Sequence, residues 1–411
     1  MINFFDIADP YSEIYVALVV IVSVITAHFI PSPAFSNDQH KFTSLDGVRA
    51  YCALFVMIAH TASWYTFARD GIWASPPSNL IMQLAQGSVT IFFLLSAFLF
   101  WGKFAETNKE NNWLKFYVGR VFRLFPLYLF CIILVAFFAA STVPIADILK
   151  SLTLPNIIKT AVFLPGAATD LFALPRGTFI TLIAPVWTLS YEWILYLTLP
   201  ALIILYKRQF RNFGWAVGWL CMLWWLAPRN GNHPMISKLL IFPLGFLCAH
   251  LLASRWASQI KLICASPKAS AIAAIILLAQ VLLPSSETNV YLTANLFLYA
   301  IIFLIIAGGN TMWGILTWRA SRKLGEMSFS IYLLHSLFLS LIFRGLFGLE
   351  TVRFMTPMAH WLTIGAFMPL FILCVSLTYT FIERPPINYS QVAYERLTMI
   401  GVLFRKKLLR S

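Results

Sequence analysis

The chain has 411 residues and a formal net charge of +14, with 60% hydrophobic and only 11% charged residues. Together with a mean hydropathy of +0.78, this composition excludes an ordinary water-soluble domain, in which about 25% of residues are charged. The positive charge does not indicate nucleic-acid binding, because the basic residues lie in short loops between apolar runs and not on one soluble face.

The apolar runs predict an all-α fold, a polytopic transmembrane helical bundle of about 11 spans. Helices are expected because each run approaches the roughly 20 residues that cross a bilayer as a helix. Lipid offers no hydrogen-bond partners to backbone N–H and C=O groups, and a helix pairs these groups internally. The predicted spans are approximately 14–30, 46–67, 80–101, 120–141, 184–206, 212–227, 236–252, 270–284, 292–309, 326–345 and 359–382. The amino terminus has no basic residue and no cleavage site, so the first span is expected to remain in the mature protein.

The basic residues predict the orientation of the bundle. With the amino terminus outside and the carboxyl terminus cytoplasmic, 22 of the 30 Lys and Arg residues fall on the cytoplasmic side. Short loops rich in Lys and Arg stay in the cytoplasm during insertion, so this orientation is preferred. The longest outer connection, about 142–183, is apolar and rich in Pro, which indicates a segment packed at the membrane surface or dipping into it. The six cysteines are scattered singly, which is typical of core residues and not of disulfides or metal ligands.

The second span carries the first ionisable groups predicted to lie inside the membrane. Arg49 and His60 are eleven positions apart, about three helical turns, and Asp46 lies one turn before Arg49. His60 is therefore predicted roughly 16 Å deeper than Arg49, near the middle of the bilayer. An ionisable residue at that depth is costly and marks a functional candidate, although a structural imidazole bonded between helices is the alternative.

Two later spans carry further candidates. Thr188, Glu192 and Tyr196 are spaced by four and share one face of the fifth span, and Glu192 is predicted to reach the level of His60. A carboxylate paired with a histidine is suited to proton transfer at a hydroxyl, whereas a structural ion pair is the alternative. In the tenth span, His335 is predicted near mid-membrane with Tyr332 close to the same face, and a structural hydrogen-bonding histidine is the alternative.

Three other histidines lie near the ends of predicted spans. For His28, His250 and His360 we expect side chains that reach towards the membrane interface.

A pair of arginines precedes the fourth span. Arg120 and Arg123 are one helical turn apart at the predicted cytoplasmic boundary. Guanidinium groups match phosphate geometry, so the pair could hold the phosphates of a nucleotide-bearing donor. Arginines at such a boundary also serve as topology anchors, and the spacing alone does not separate the two roles.

Six segments in order resemble the motifs of the acyltransferase-3 family of integral membrane O-acyltransferases, from about Ser44 to Pro386. The second-span motif SLDGVRAYCALFVMIAH contains the family's Arg and His separated by ten residues. The other matching segments are SVTIFFLLSAFLF, YVGRVFRLFPLY, PVWTLSYEW, MSFSIYLLH and FIERPP. Three positions depart from the family pattern: Thr90 replaces an acid, Ala97 replaces a glycine, and Trp193 stands where a second acid is common.

The resemblance implies an enzyme that moves an acyl group, usually acetyl from acetyl-CoA bound on the cytoplasmic side, to a hydroxyl acceptor on the outer side of the bacterial inner membrane. It implies His60, Arg49 and Glu192 as catalytic residues, and Arg120, Arg123 and Arg49 as contacts to the donor. Asp46, Trp187, Tyr332 and His335 are expected substrate contacts. The acceptor is expected to be a saccharide or another hydroxyl compound, with no metal, no permanently bound cofactor and no nucleic acid, and the oligomeric state stays open.

The predicted organisation has three parts. Residues 1–43 form an added first helix and a cytoplasmic linker, residues 44–386 the membrane acyltransferase domain, and residues 387–411 a basic cytoplasmic tail. A different class of protein fits the same buried ionisable groups: a proton-coupled transporter or flippase of a sugar or lipid-linked substrate. The absence of a visible internal repeat weakens that alternative.

Overall fold

The computed structural model describes residues 6–31, 43–105, 111–163, 167–209, 238–282 and 295–408. Within these ranges the chain is helical and has no β-strand, so the predicted all-α class is confirmed. In the first half of the chain the helices are α1 (Glu13–Phe29), α2 (Thr43–Asp70), α3 (Asn79–Phe104), α4 (Trp113–Thr142), α5 (Ile145–Ser151), α6 (Leu154–Ala161), α7 (Ala167–Leu171) and α8 (Arg176–Ile183). In the second half they are α9 (Trp187–Gln209), α10 (Ile241–Ala253), α11 (Ala257–Cys264), α12 (Pro267–Leu282), α13 (Asn295–Ala307), α14 (Arg319–Glu326), α15 (Ser328–Leu346), α16 (Leu349–Arg353), α17 (Pro357–Thr378) and α18 (Arg384–Leu408).

Among the described residues, five helices are long and apolar enough to cross a membrane, or six if α11 and α12, bent by 70°, form one broken span. Helices α1, α10 and α13 are apolar but shorter, with 10–17 residues each. The chain is thus a helical membrane protein, but the predicted number of about 11 spans is not confirmed. The predicted span at 212–227 lies outside the described residues.

The segments predicted to be cytoplasmic meet at one end of the bundle. Phe104 at the end of α3 packs on Trp113 at the start of α4, with ring centroids 4.9 Å apart. Beside Trp113, Asn112 donates a hydrogen bond of 2.6 Å to the hydroxyl of Tyr394 in α18. The ends of α3 and α9 also meet, since the rings of Trp101 and Tyr206 are 5.0 Å apart. The described ends of α3, α4 and α9 and part of α18 therefore lie together at one end of the molecule.

The start of α2 lies directly against α14 and the turn before it. A Cβ on Gly47 would lie 1.9 Å from the carbonyl oxygen of Leu316, and one on Gly325 would lie 2.0 Å from that of Asp46. Real side chains never approach backbone so closely, so only glycine permits this contact. The contact fixes the first turn of α2, from which Arg49 projects.

Helix α1 is docked against the rest of the bundle. The buried ammonium of Lys323 in α14 donates hydrogen bonds to carbonyl oxygens at the end of α1, at 2.6 Å from Ile30 and 3.1 Å from Ala27. A lysine there satisfies carbonyl groups that the helix itself leaves open. The ring of Tyr15 stacks on Trp361 of α17 with centroids 5.6 Å apart. The first helix is therefore an integral part of the packing.

The long connection predicted at about 142–183 is largely helical in its described part. Helices α5 to α8 fill it, and the hydroxyl of Tyr128 in α4 donates to the carbonyl of Thr160 at 2.9 Å. Phe163 is fully buried and stacks on Trp193, with centroids 6.1 Å apart. Leu149 and Leu154 are exposed, which suits short helices lying in the membrane interface.

The departures from the family pattern have local explanations. A Cβ on Gly245 of α10 would lie 2.6 Å from the Cβ of Ala97. The close contact between α3 and α10 therefore has its glycine at Gly245 of α10, opposite Ala97 of α3. The hydroxyl of Thr90 donates to the carbonyl of Gln86 at 2.8 Å within its own helix. Trp193, as described above, packs in an aromatic layer with Phe163.

One of the three histidines expected at the interface is buried. His360 is 0% exposed, its Nε2 lies 3.0 Å from the carbonyl oxygen of Thr61, and its ring stacks on Phe343 at 4.5 Å. The expectation that it reaches the interface is wrong, because α17 places it towards α2 and α15. His28 is exposed and His250 is half-buried.

Candidate active site

A cavity of about 290 Å³ lies among α2, α3, α4, α9 and α15. Its walls are aromatic and aliphatic, interrupted by a group of polar side chains. The polar lining residues are Arg49, Ser96, Arg120, Arg123, Thr188, Glu192, Tyr196, Ser328 and Tyr332. The structure thus brings together the three arginines, Glu192 and Tyr332 that the sequence singled out on four different spans.

The arginines are held in different ways. Arg49 forms an ion pair of 3.5 Å with Asp46, one turn earlier in α2. The guanidinium of Arg120 lies 5.1 Å above the ring of Phe100, and its Nε is buried without a hydrogen-bond partner among the described residues. This Nε is a buried donor that an anionic ligand could satisfy.

Arg123 has a partner that the sequence analysis missed. Its Nη2 lies 3.9 Å from Oε1 of Glu383, whose side chain is fully buried and also accepts a 2.7 Å hydrogen bond from Ser330. Glu383 is the acid of the FIERPP segment, at the end of a long apolar run. An isolated acid at that position was the available signal, because a buried carboxylate requires a cationic or hydrogen-bonding partner.

Glu192 lies on the predicted helical face but not beside His60. Its carboxylate accepts hydrogen bonds from Tyr196 at 2.6 Å and from Ser96 at 3.3 Å. The shared face of Thr188, Glu192 and Tyr196 is confirmed, since all three line the cavity. The structure shows no hydrogen bond between Glu192 and His60, whose Nδ1 is bonded to His335, so the predicted pairing of the two stays a prediction.

His60 and His335 form a hydrogen-bonded pair. Nδ1 of His60 lies 2.8 Å from Nε2 of His335, and Nδ1 of His335 lies 3.2 Å from the carbonyl oxygen of Ile331. A carbonyl only accepts, so for neutral rings Nδ1 of His335 carries its proton and Nε2 accepts from His60. This assignment places the proton of His60 on Nδ1 and leaves its Nε2 with a lone pair.

Tyr332 stands between the cavity and the two histidines. It lines the cavity and donates a 3.0 Å hydrogen bond to Thr188, while its ring centroid lies 6.1 Å from that of His335. The cavity lining includes neither histidine. Tyr332 is therefore a lining residue of the cavity that also lies beside one of the two imidazoles.

Besides His335, two predicted substrate contacts lie outside the cavity lining. Asp46 serves as the ion-pair partner of Arg49. Trp187 packs edge-on to Phe93, and the ammonium of Lys238 lies 3.9 Å above its ring.

The arrangement has the parts of an acid–base site. A polar, arginine-lined cavity adjoins two imidazoles whose hydrogen bonds orient one unprotonated nitrogen. A neutral imidazole nitrogen in this state can remove a proton from a hydroxyl and return it to a leaving group.

Comparison with known proteins agrees with this chemistry. A chain from Streptomyces mycarofaciens, acyltransferase MdmB, is 30% identical over 193 residues, which is 46% of this chain and 43% of that relative. The match thus spans less than half of the relative's length. No solved structure matches the chain. The family profile described as an acyltransferase domain matches residues 42–383, which is most of the sequence and contains every lining residue of the cavity, so the chain belongs to the acyltransferase-3 family.

Proposed function

We propose that the protein transfers an acetyl group from acetyl-CoA to a hydroxyl of a saccharide, and that the two substrates enter from opposite sides of the bacterial inner membrane. Family membership and the relative named an acyltransferase support acyl transfer. The choice of acetyl as the acyl group, of CoA as the donor and of a saccharide as the acceptor belongs to the proposal. In this proposal the amino terminus lies on the outer side of the membrane and the carboxyl terminus in the cytoplasm.

One observation carries the proposal: the hydrogen-bond chain from Ile331 through His335 to His60. It holds His60 in the tautomer whose Nε2 can accept a proton. A base for acyl transfer must present an unprotonated nitrogen in a fixed direction, and this hydrogen-bond chain meets that requirement for His60. Family membership favours the transferase over a transporter.

In the proposed reaction, Nε2 of His60 takes the proton of the acceptor hydroxyl while that oxygen attacks the thioester carbonyl. The tetrahedral intermediate then expels the CoA sulfur, the C–S bond breaks, and the proton on His60 passes to the thiolate. The products are an ester and free CoA, and the histidine returns to its starting state. CoA is a substrate here, and the scheme requires no metal and no permanently bound cofactor.

The cavity is suited to the donor. Arg49, Arg120 and Arg123 supply positive charge for the phosphates of CoA, and the apolar walls suit its pantetheine arm. Glu192 accepts a hydrogen bond from Tyr196 and shares a helical face with Thr188. We assign it to positioning the reacting groups. Tyr332, which lines the cavity and lies beside His335, is assigned to the path of the thioester towards His60.

The test uses purified protein in detergent, incubated with acetyl-CoA and a set of methyl glycosides, with release of the CoA thiol as the readout. Glycoside-dependent release and an added mass of about 42 Da on the glycoside support the proposal. The transporter would be established instead by two results together. No glycoside would cause release of the CoA thiol, and uptake of glycoside into proteoliposomes would depend on a proton gradient.

A further inference from the structure

Helix α11 turns sharply away from the apolar helix that follows it. Its axis is bent by 70° from that of α12. On α12 the side chains of Ile272, Ile275 and Leu278 are exposed at intervals of three, as expected for a helix side that faces lipid. Because α12 faces lipid along its length, a bend of this size lays α11 nearly parallel to the membrane surface.

Helix α11 and its flanks expose apolar and basic side chains together. The exposed apolar side chains are Trp256, Leu262 and Ile263, of which Leu262 is 77% exposed. Lys261 and Lys268 are exposed as well, and the stretch 250–282 that contains them has no acidic residue. Large apolar side chains accompanied by lysines are typical of short helices that lie in the headgroup layer of a bilayer.

The loop that follows α13, residues 308–318, is bonded to the carboxyl end of α11. The buried amide of Asn310 donates hydrogen bonds to the carbonyl oxygens of Cys264 at 2.6 Å and of Ser266 at 3.2 Å. Its Oδ1 accepts a 2.8 Å hydrogen bond from the backbone N–H of Met312. Loop and helix are therefore held side by side.

The same loop exposes a tryptophan on a strained backbone. Met312 and Trp313 have φ angles of 48° and 54°, in the left-handed region that disfavours residues with large side chains. The side chain of Trp313 is 58% exposed. In water an exposed indole gains nothing that offsets this strain, whereas the interface of a bilayer is the preferred environment of an indole. The conformation therefore indicates contact with lipid headgroups.

This surface lies at the end of the bundle that contains the cavity arginines. The loop continues to Leu316, whose carbonyl oxygen lies against Gly47 in the first turn of α2, close to Arg49. Neither Lys261 nor Lys268 lines the cavity. The lysines are therefore separate from the arginines assigned to the donor.

We propose that α11 and the loop after α13 form a binding surface for the anionic phospholipids of the bilayer. The indoles of Trp256 and Trp313 and the side chain of Leu262 enter the headgroup layer, while the ammonium groups of Lys261 and Lys268 bind phosphate oxygens. A zwitterionic bilayer offers the same apolar contacts but no net charge, so the lysines give the surface its preference for anionic headgroups. This role does not depend on acyl transfer.

The experiment compares Lys261→Gln/Lys268→Gln with the wild type and with Lys150→Gln/Lys159→Gln. The control is matched, because it removes two exposed lysines from α5 and α6, short helices that also expose apolar side chains. Each protein is placed in nanodiscs of phosphatidylcholine alone or of an equimolar mixture with phosphatidylglycerol. The measurements are the melting temperature and the amount of phosphatidylglycerol that copurifies after extraction from the mixed bilayer.

We expect phosphatidylglycerol to raise the melting temperature of the wild type and of the control variant. The variant of Lys261 and Lys268 should lose most of this rise and retain at least threefold less phosphatidylglycerol, and Lys261→Arg/Lys268→Arg should restore both values. Wild-type retention of phosphatidylglycerol in the Gln variant would overturn the proposal, as would equal melting temperatures of the wild type in the two bilayers. An equal loss in the control variant would show that net charge selects the lipid, and would overturn this surface too.

Discussion

His60 is the residue on which the proposed chemistry depends, and its partner His335 should matter in a different way. Replacing His60 by Ala removes the only imidazole nitrogen assigned to the acceptor proton. We expect acyl transfer to fall by about 10²- to 10⁴-fold, the range for loss of a general base, with normal folding. The measurement is CoA release per amount of folded protein in the membrane fraction.

His335→Ala provides the comparison. It leaves His60 in place but removes the acceptor that fixes its tautomer, so we expect a smaller loss, confined to kcat, with the KM for acetyl-CoA unchanged. If His60→Ala retains more than about a tenth of wild-type activity, the assignment of His60 as base is wrong. An equal rise of the acetyl-CoA KM in both variants would instead indicate that the pair only supports the fold.

The arginines of the cavity distinguish donor binding from membrane anchoring. Arg120→Ala and Arg123→Ala should each raise the KM for acetyl-CoA tenfold or more, because a charged hydrogen bond contributes about 1.5–3 kcal/mol. The control is Arg255→Ala, an exposed arginine at the same end of the bundle that lies outside the cavity lining. Variants that insert normally and keep the wild-type KM would show that Arg120 and Arg123 are topology anchors.

Among the elements, α1 tests a contact that should affect the stability of the bundle but not its activity. Lys323→Met removes the ammonium that satisfies the carbonyl groups at the end of α1, and a buried unsatisfied polar group costs about 1–3 kcal/mol. We expect a lower melting temperature in detergent and unchanged activity of the protein that remains folded. Lys150→Met, at a side chain that is 79% exposed, should change neither. A melting temperature of Lys323→Met equal to the wild type would mean that these hydrogen bonds to the end of α1 do not stabilise the bundle.

Helix α2 illustrates which features could be predicted from the sequence. The apolar run of α2 predicts a helix, and helix geometry then predicts how Arg49 and His60 lie relative to each other. The spacing of four likewise predicts that Thr188 and Glu192 share one face of α9. Partners between helices do not follow from one sequence. The bond from His60 to His335 links positions 275 residues apart, and Glu192 is instead hydrogen-bonded to Tyr196 and Ser96.

Glu383 and Lys323 were missed as partners for a related reason. Both are charged residues next to apolar runs, where the sequence alone predicts exposure at the interface. The structure buries them because Arg123 and the carbonyl groups of α1 lie opposite. The count of about 11 spans stays unconfirmed for a different reason: described apolar helices such as α10 are too short to be distinguished from buried half-spans by composition.

At the scale of the whole molecule, the orientation decides whether donor and acceptor meet from opposite sides. The ends of α3, α9 and α10 meet the start of α4, and that end also contains the cavity arginines. Since 22 of the 30 basic residues fall on the same predicted side, that end should face the cytoplasm, where acetyl-CoA is made available.

Cysteine labelling tests this orientation with two exposed positions at opposite ends. In a variant without native cysteines, Lys150→Cys should react with a membrane-impermeant maleimide on intact cells, whereas Arg255→Cys should react only after permeabilisation. Both side chains are exposed, so differences in burial do not explain a difference in labelling. The reverse pattern would place the arginine-lined cavity outside, away from the cytoplasmic donor, and the proposed route for acetyl-CoA would have to be abandoned even if His60 were shown to be the base.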